Sequence, residues 1–219
     1  MESVAYSPQM PALPIPAAAP HARLWVVALA VLLAACGEQA KLPRLAADAV
    51  VLAFGDSLTF GIGANENESY PAQLERLIGR RVVRAGVPGE VSAAGLARLS
   101  AVLDEHQPRL LVLCHGGNDF LRRQPKKDAA DNVRAMVSLA KGRGVEVLLV
   151  GTPEPGFSVT PPEFYVSIAK EFRIPYEGEV IGKILKDPGL KADPIHPNAQ
   201  GYRLIAERVA ELLRKAGAL

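Results

Sequence analysis

Val50-Val51-Leu52-Ala53-Phe54-Gly55-Asp56-Ser57-Leu58 joins an unbroken apolar run to a glycine, an acid and a serine. Continuous rather than alternating apolarity suits a strand buried on both faces, as in a parallel sheet covered by helices. Similar runs recur at Val82 to Ala85, Leu110 to Cys114 and Val145 to Val150, each followed by a segment of helical period. That alternation predicts βαβ units and an α/β fold. Helices are expected from Ala72 to Ile78 behind Ser69 and Pro71, Ala93 to Leu103 behind Ser92, and Ala129 to Lys141 behind Asp128. Gly79 and Gly142 mark helix ends. Further helices are expected from Pro162 to Phe172 and from about Ala199 to Lys215, the last with Leu204, Ile205, Val209, Leu212 and Leu213 as its buried stripe. A fifth strand is read around Ile174 to Tyr176.

With 49% hydrophobic and 22% charged residues, the 219-residue chain has the composition of a globular protein, and its net charge of +2 argues against a nucleic-acid partner. Arg122, Arg123, Lys126 and Lys127 form the nearest thing to a basic cluster and read as a solvated face. Leu24 to Ala35 is an apolar run too short to span a bilayer comfortably, preceded by Arg23, and reads as a secretory signal; Met10 is an alternative start. Leu33-Ala34-Ala35-Cys36 resembles the bacterial lipobox, which implies a signal peptide over residues 1–35, a lipid-modified Cys36 and a tether over 36–48. An ordinary secretory signal with unmodified Cys36 is the alternative. The expectation is an exported envelope lipoprotein, anchored by lipid, with one domain over 49–219. Only Cys114 would remain as a free thiol, so stability must come from a core rather than a disulfide.

In an open parallel sheet, the loops beyond the carboxyl ends of the strands converge on one edge, where ligands bind. Ser57 lies just past the first strand, Gly89 past the second, and Gly116-Gly117-Asn118-Asp119 past the third. Asp193-Pro194-Ile195-His196 precedes the last helix. Serine, histidine and a carboxylate are the parts of an acyl-transfer nucleophile, with His196 as base and Asp193 orienting it from three residues away. The competing base is His115, which has no acid at useful local spacing and reads better as a pocket-lining residue. Ser57 begins a helical turn whose N–H groups point outward, and Asn118 offers an amide beside two glycines, so both suit an oxyanion hole. Asp56 and Asp119 read as turn and hydrogen-bonding residues. Gly-x-Ser-x-Gly is absent because Thr59 occupies the second glycine position. No His-rich or Cys-rich set has metal-ligand spacing, so no metal is expected.

Phe54-Gly55-Asp56-Ser57-Leu58-Thr59, Gly117-Asn118-Asp119 and Asp193-Pro194-Ile195-His196-Pro197-Asn198 resemble the blocks of the SGNH/GDSL hydrolase superfamily, in particular its bacterial arylesterase, thioesterase and lysophospholipase-like branch. The resemblance covers about Val50 to Leu213. It implies a three-layer α/β/α flavodoxin-like fold with a parallel sheet of about five strands, and no cofactor. The oxyanion hole would be formed by Ser57 N–H, Gly89 N–H and the Asn118 side chain, Gly89 matching the second block better than Gly86. Arg84 stands where many relatives carry asparagine, so hydrogen bonding at the end of the second strand is expected to differ.

The activity so implied is hydrolysis of an acyl ester or thioester through an acyl-enzyme on Ser57, by a monomer acting on a small molecule. Two alternatives are an O-acetyl esterase acting on envelope carbohydrate and a tethered module that binds phosphate or flavin without chemistry. Phe157, Phe164 and Tyr165 either line an acyl groove or pack.

Overall fold

The computed structural model describes residues 40–156 and 159–219, which belong to one compact unit. The leader and Cys36 lie outside the described residues. Five parallel strands, β1 (Val51–Gly55), β2 (Val82–Gly86), β3 (Leu110–Cys114), β4 (Glu146–Val150) and β5 (Tyr176–Glu177), form a sheet of order β2-β1-β3-β4-β5. The helices are α1 (Ser57–Phe60), α2 (Tyr70–Ile78), α3 (Ser92–His106), α4 (Gly117–Leu121), α5 (Lys126–Gly142), α6 (Phe164–Phe172), α7 (Val180–Lys186) and α8 (Ala199–Ala216). Among the described residues no helix is long and apolar enough to cross a membrane.

The unbroken apolar strands feed two cores. Val51, Ala53, Leu110, Val112 and Cys114 point to one face, under α2, α7 and α8. Leu52, Phe54, Leu111 and Leu113 point to the other, under α3, α5 and α6. Burying a side chain of this size contributes roughly 1.5–3 kcal/mol, so both faces must stay covered and the three-layer arrangement follows. Strand order reverses between β1 and β3, which opens a crevice beyond their carboxyl ends. The loops leaving these two strands carry Ser57 and Asn118.

Several elements differ from the sequence reading. α3 begins at Ser92 itself, because its N–H and Oγ bond the buried Asp119 carboxylate (2.8 and 2.6 Å). α5 begins at Lys126, directly after Pro125, rather than behind Asp128. The fifth strand is a two-residue ladder displaced to Tyr176–Glu177, Pro175 supplying only its carbonyl, to Leu149 N–H. Helix α7 has no counterpart in the sequence reading.

Residues 42–48 are not a free tether. Leu42 and Leu45 are buried in the core beneath α8, and their N–H groups donate to Ala216 O (2.9 Å) and Ala218 O (2.8 Å). The apolar side chains of these two residues make the stretch cling to the domain, so the folded unit begins earlier than residue 49.

Candidate active site

Gly55 ends β1 where no larger residue fits: a Cβ there would stand 2.0 Å from Cys114 O and 2.4 Å from Thr59 Oγ1. The chain turns tightly at this point, and Asp56 Oδ1 caps the next turn by accepting Leu58 N–H at 3.1 Å. Ser57 therefore becomes the first residue of α1, half-exposed at the sheet edge. Its backbone N–H meets no acceptor among the described residues.

His196 arrives from the other end of the chain. Its Nε2 is 3.0 Å from Ser57 Oγ and its Nδ1 is 2.7 Å from Asp193 Oδ2. Asp193 Oδ1 meanwhile accepts the N–H groups of Ile195 and His196 at 2.8 Å each. Partial burial would raise this carboxyl, but the His196 ring and the two backbone donors hold it below the ordinary aspartate value. An ionised carboxylate only accepts hydrogen bonds, so the ring proton sits on Nδ1 and Nε2 is left to accept from the serine hydroxyl. The loop is itself fastened: Ala192 N–H donates to His196 O (2.9 Å), and Asn198 caps α8 by accepting Gly201 N–H (3.0 Å).

Asn118 lies in the first turn of α4, and its Nδ2 donates to Asp56 Oδ2 and to Glu90 O, both at 3.1 Å. The amide is thus held on the serine side of the crevice. Burial pushes the Asp56 carboxyl up, opposed by its bonds from Leu58 N–H and Asn118. Asp56 and Asp119 both act as hydrogen-bonding anchors, as read from the sequence. Gly89 adopts φ of +76°, favoured by glycine, and its N–H meets no acceptor among the described residues. Its carbonyl accepts from Arg122 Nη2 at 2.7 Å.

His115 does not line the pocket. It is fully buried, with Nδ1 accepting Gly116 N–H (3.0 Å) and Nε2 3.1 Å from Glu90 Oε2. Both ring nitrogens are committed and neither reaches Ser57. The acid partner missing from its own neighbourhood is Glu90, 25 residues earlier in the chain. Sequence reading missed Glu90 and Arg98, whose guanidinium clasps it; the two stand eight residues apart across the turn into α3, a spacing that matches no motif. Arg84, the middle residue of β2, binds Phe60 O (2.6 Å) and Glu66 (2.7 Å), 24 and 18 residues earlier in the chain.

A cavity of about 280 Å³ opens beside Ser57, Asn118 and His196, with Leu58, Leu121, Val159, Ile181, Leu185 and Ile195 among its walls. Phe164 and Tyr165 are not among them. They stack on each other (centroids 4.2 Å apart), and Tyr165 Oη donates to His115 O at 2.7 Å. Phe157 lies outside the described residues. Among the described residues no group of three or more His, Cys, Asp or Glu side chains is arranged to hold a metal ion.

Residues 53–204 match the model of the GDSL-like lipase/acylhydrolase family. The chain is 30% identical to esterase TesA of Pseudomonas aeruginosa, over 84% of its own length and 98% of the relative's. It is 32% identical to thioesterase 1/protease 1/lysophospholipase L1 of Escherichia coli K12 over 78% and 86% of the two chains. Among solved structures, a crystal structure of TesA superimposes with a TM-score of 0.68 at 28% identity, covering 76% of this chain and 99% of that one. AlinE4, an SGNH-hydrolase family esterase, superimposes with 0.62 at 32% identity, covering 79% and 98%. With its serine, histidine and acid meeting at the carboxyl edge of a 2-1-3-4-5 sheet, the chain belongs to the GDSL-like lipase/acylhydrolase family.

Proposed function

We propose that this chain is a serine hydrolase that cleaves carboxylic ester or thioester bonds of acyl substrates. The single observation that carries this reading is the 3.0 Å approach of His196 Nε2 to Ser57 Oγ, with Asp193 2.7 Å behind the ring. Ser57 Oγ attacks the acyl carbon while its proton passes to His196 Nε2, and Asp193 stabilises the resulting imidazolium. The oxyanion is received by Ser57 N–H, Gly89 N–H and the Asn118 amide. His196 then protonates the departing alkoxide or thiolate, and water, activated by the same ring, releases the acid.

The apolar walls of the cavity favour an acyl chain over a sugar as the group held there. Each methylene moved into such a site contributes about 0.8 kcal/mol, so kcat/KM should rise roughly fourfold per added methylene until the cavity is full. A p-nitrophenyl ester series from acetate upward reads this directly, alongside fluorophosphonate labelling of wild type and Ser57→Ala. Preference for acetate and acetylated sugars would favour the carbohydrate esterase instead, and an unlabelled wild type would remove the hydrolase.

The same reading extends to location: a lipid-modified Cys36 anchors an exported enzyme in the cell envelope. The domain docks from Leu42 onward, so the span from Cys36 reaches at most about 20 Å when fully extended. Partition of wild type and Cys36→Ser between detergent and aqueous phases tests the anchor.

A further inference from the structure

Glu90 sits between the two oxyanion donors that lie outside α1, and its side chain is 7% exposed. Its backbone carbonyl accepts Asn118 Nδ2, and it directly follows Gly89. From beneath, Arg98 Nε donates to Glu90 Oε1 (2.7 Å) and Oε2 (3.0 Å). Arg98 Nη2 reaches Gly55 O (3.1 Å), the residue two before the serine, and Ala85 O (3.0 Å) at the end of β2. The guanidinium lies 3.9 Å over the Phe54 ring. His115, at the foot of the Gly116-Gly117-Asn118 turn, closes the set through Nε2 to Glu90 Oε2. Because Gly116 N–H donates to His115 Nδ1, the ring proton belongs on Nε2, where it donates to the carboxylate.

Three loops therefore meet on one buried carboxylate: the turn after β1 through Arg98, the turn after β2 through Glu90 itself, and the turn after β3 through His115. Each delivers one of the three N–H donors to the site. A neighbouring tie, Ser92 to Asp119, fastens the second and third loops again without touching the pocket.

From this convergence we propose that Glu90, with Arg98 and His115, is a positioning residue for the oxyanion hole: it sets the mutual placement of Gly89 N–H and the Asn118 amide rather than touching substrate. This rests on the hydrolase reading above. A misplaced donor weakens the transition state more than the ground state, because the oxygen it serves carries full charge only there. The cost must therefore appear in kcat.

The test compares wild type, Glu90→Gln, Asn118→Ala and the double variant on one p-nitrophenyl ester, below the unfolding temperature of every variant. Glu90→Gln should lower kcat about tenfold or more with KM within about twofold, the signature of an interaction made in the transition state. In the Asn118→Ala background the same change should cost no more than about threefold, since residues acting through one another are not additive. Arg98→Lys, which keeps the charge but loses the planar fork, should lower kcat in the same sense and serves if Glu90→Gln does not fold. An active, fluorophosphonate-labelled wild type whose kcat is unchanged by Glu90→Gln, or by Arg98→Lys where that variant stands in, overturns the positioning role alone. So does a Glu90→Gln loss that multiplies in full with Asn118→Ala. A wild type that neither hydrolyses nor labels overturns the hydrolase and the positioning role together.

Discussion

Gly95 of α3 lies directly against the His115 imidazole: a Cβ at position 95 would stand 2.3 Å from Nε2 and 2.7 Å from Cδ2. Alanine in a helix interior gains about 1 kcal/mol over glycine, whereas forcing an extra carbon into a packed core costs about 1–3 kcal/mol. The second term is the larger, and the displaced ring also leaves Glu90. Gly95→Ala should thus destabilise by up to about 2 kcal/mol in urea titration and lower kcat without a residue of the pocket being touched. Adding His115→Ala, which removes the obstructing ring, should return part of the stability; no recovery would place the clash elsewhere.

Under the proposed mechanism, Asn118→Ala removes more than an oxyanion donor. Asp56 Oδ2 would lose its partner in a position that is 2% exposed, and burial already pushes that carboxyl up. Stranding a buried acceptor costs about 1–3 kcal/mol, and deleting one oxyanion donor costs on the order of 10² to 10³ in turnover. The variant should therefore show both a lower midpoint in denaturant and a loss of kcat. Unchanged stability would mean that water takes over the vacant bond to Asp56.

Much of this architecture is legible in the chain because its causes are local. β3 coincides with the run Leu110 to Cys114, and the Asp193–His196 pairing needs only a three-residue turn. Serine and histidine, 139 residues apart, could be joined only through the rule that parallel strands deliver their loops to one edge. What escaped reading depends on distant partners. β5 is held at a charged residue, Glu177, whose carboxylate meets Arg208 at 2.9 Å and caps α7 through Val180 N–H, so apolarity marks its position poorly. Helix α7 contains Gly182, a weak helix former, and the reason for it is a remote carbonyl: a Cβ there would stand 2.3 Å from Val159 O. His115 was misread for the same cause, its carboxylate partner lying on another loop.

The docking of residues 42–45 makes a prediction that a free tether would not. Leu42 is 7% exposed and its N–H is bonded to the end of α8. Buried leucine to alanine costs about 2–5 kcal/mol, and a site near the end of the folded unit belongs at the lower end because it can relax. Leu42→Ala should lower stability by about 2 kcal/mol, and Lys41→Ala, on an exposed neighbour, by less than about 0.5 kcal/mol. Equal, negligible effects in chemical denaturation would restore the tether.

Glu90 also makes stability depend on pH in a direction that can be worked out. Burial would raise its carboxyl, but hydrogen bonds from His115 and Arg98 and the guanidinium charge hold it below the ordinary glutamate value of 4.5. The unfolded chain therefore binds this proton more readily than the folded one. The associated stability is fully present above pH 4.5 and is lost as pH falls through the lower, folded value. Asp193 is depressed as well, but its side chain is 42% exposed and its share is screened by solvent. Asp56, raised by burial, works the opposite way: its share is present below pH 3.8 and lost as pH rises through the folded value. Both groups remain in Glu90→Gln and cancel in the comparison. Urea midpoints of wild type and Glu90→Gln should differ most at pH 5 to 7 and converge as the pH falls below 4.5; curves that stay parallel down to pH 3 would mean that Glu90 carries no ionic stabilisation in the fold.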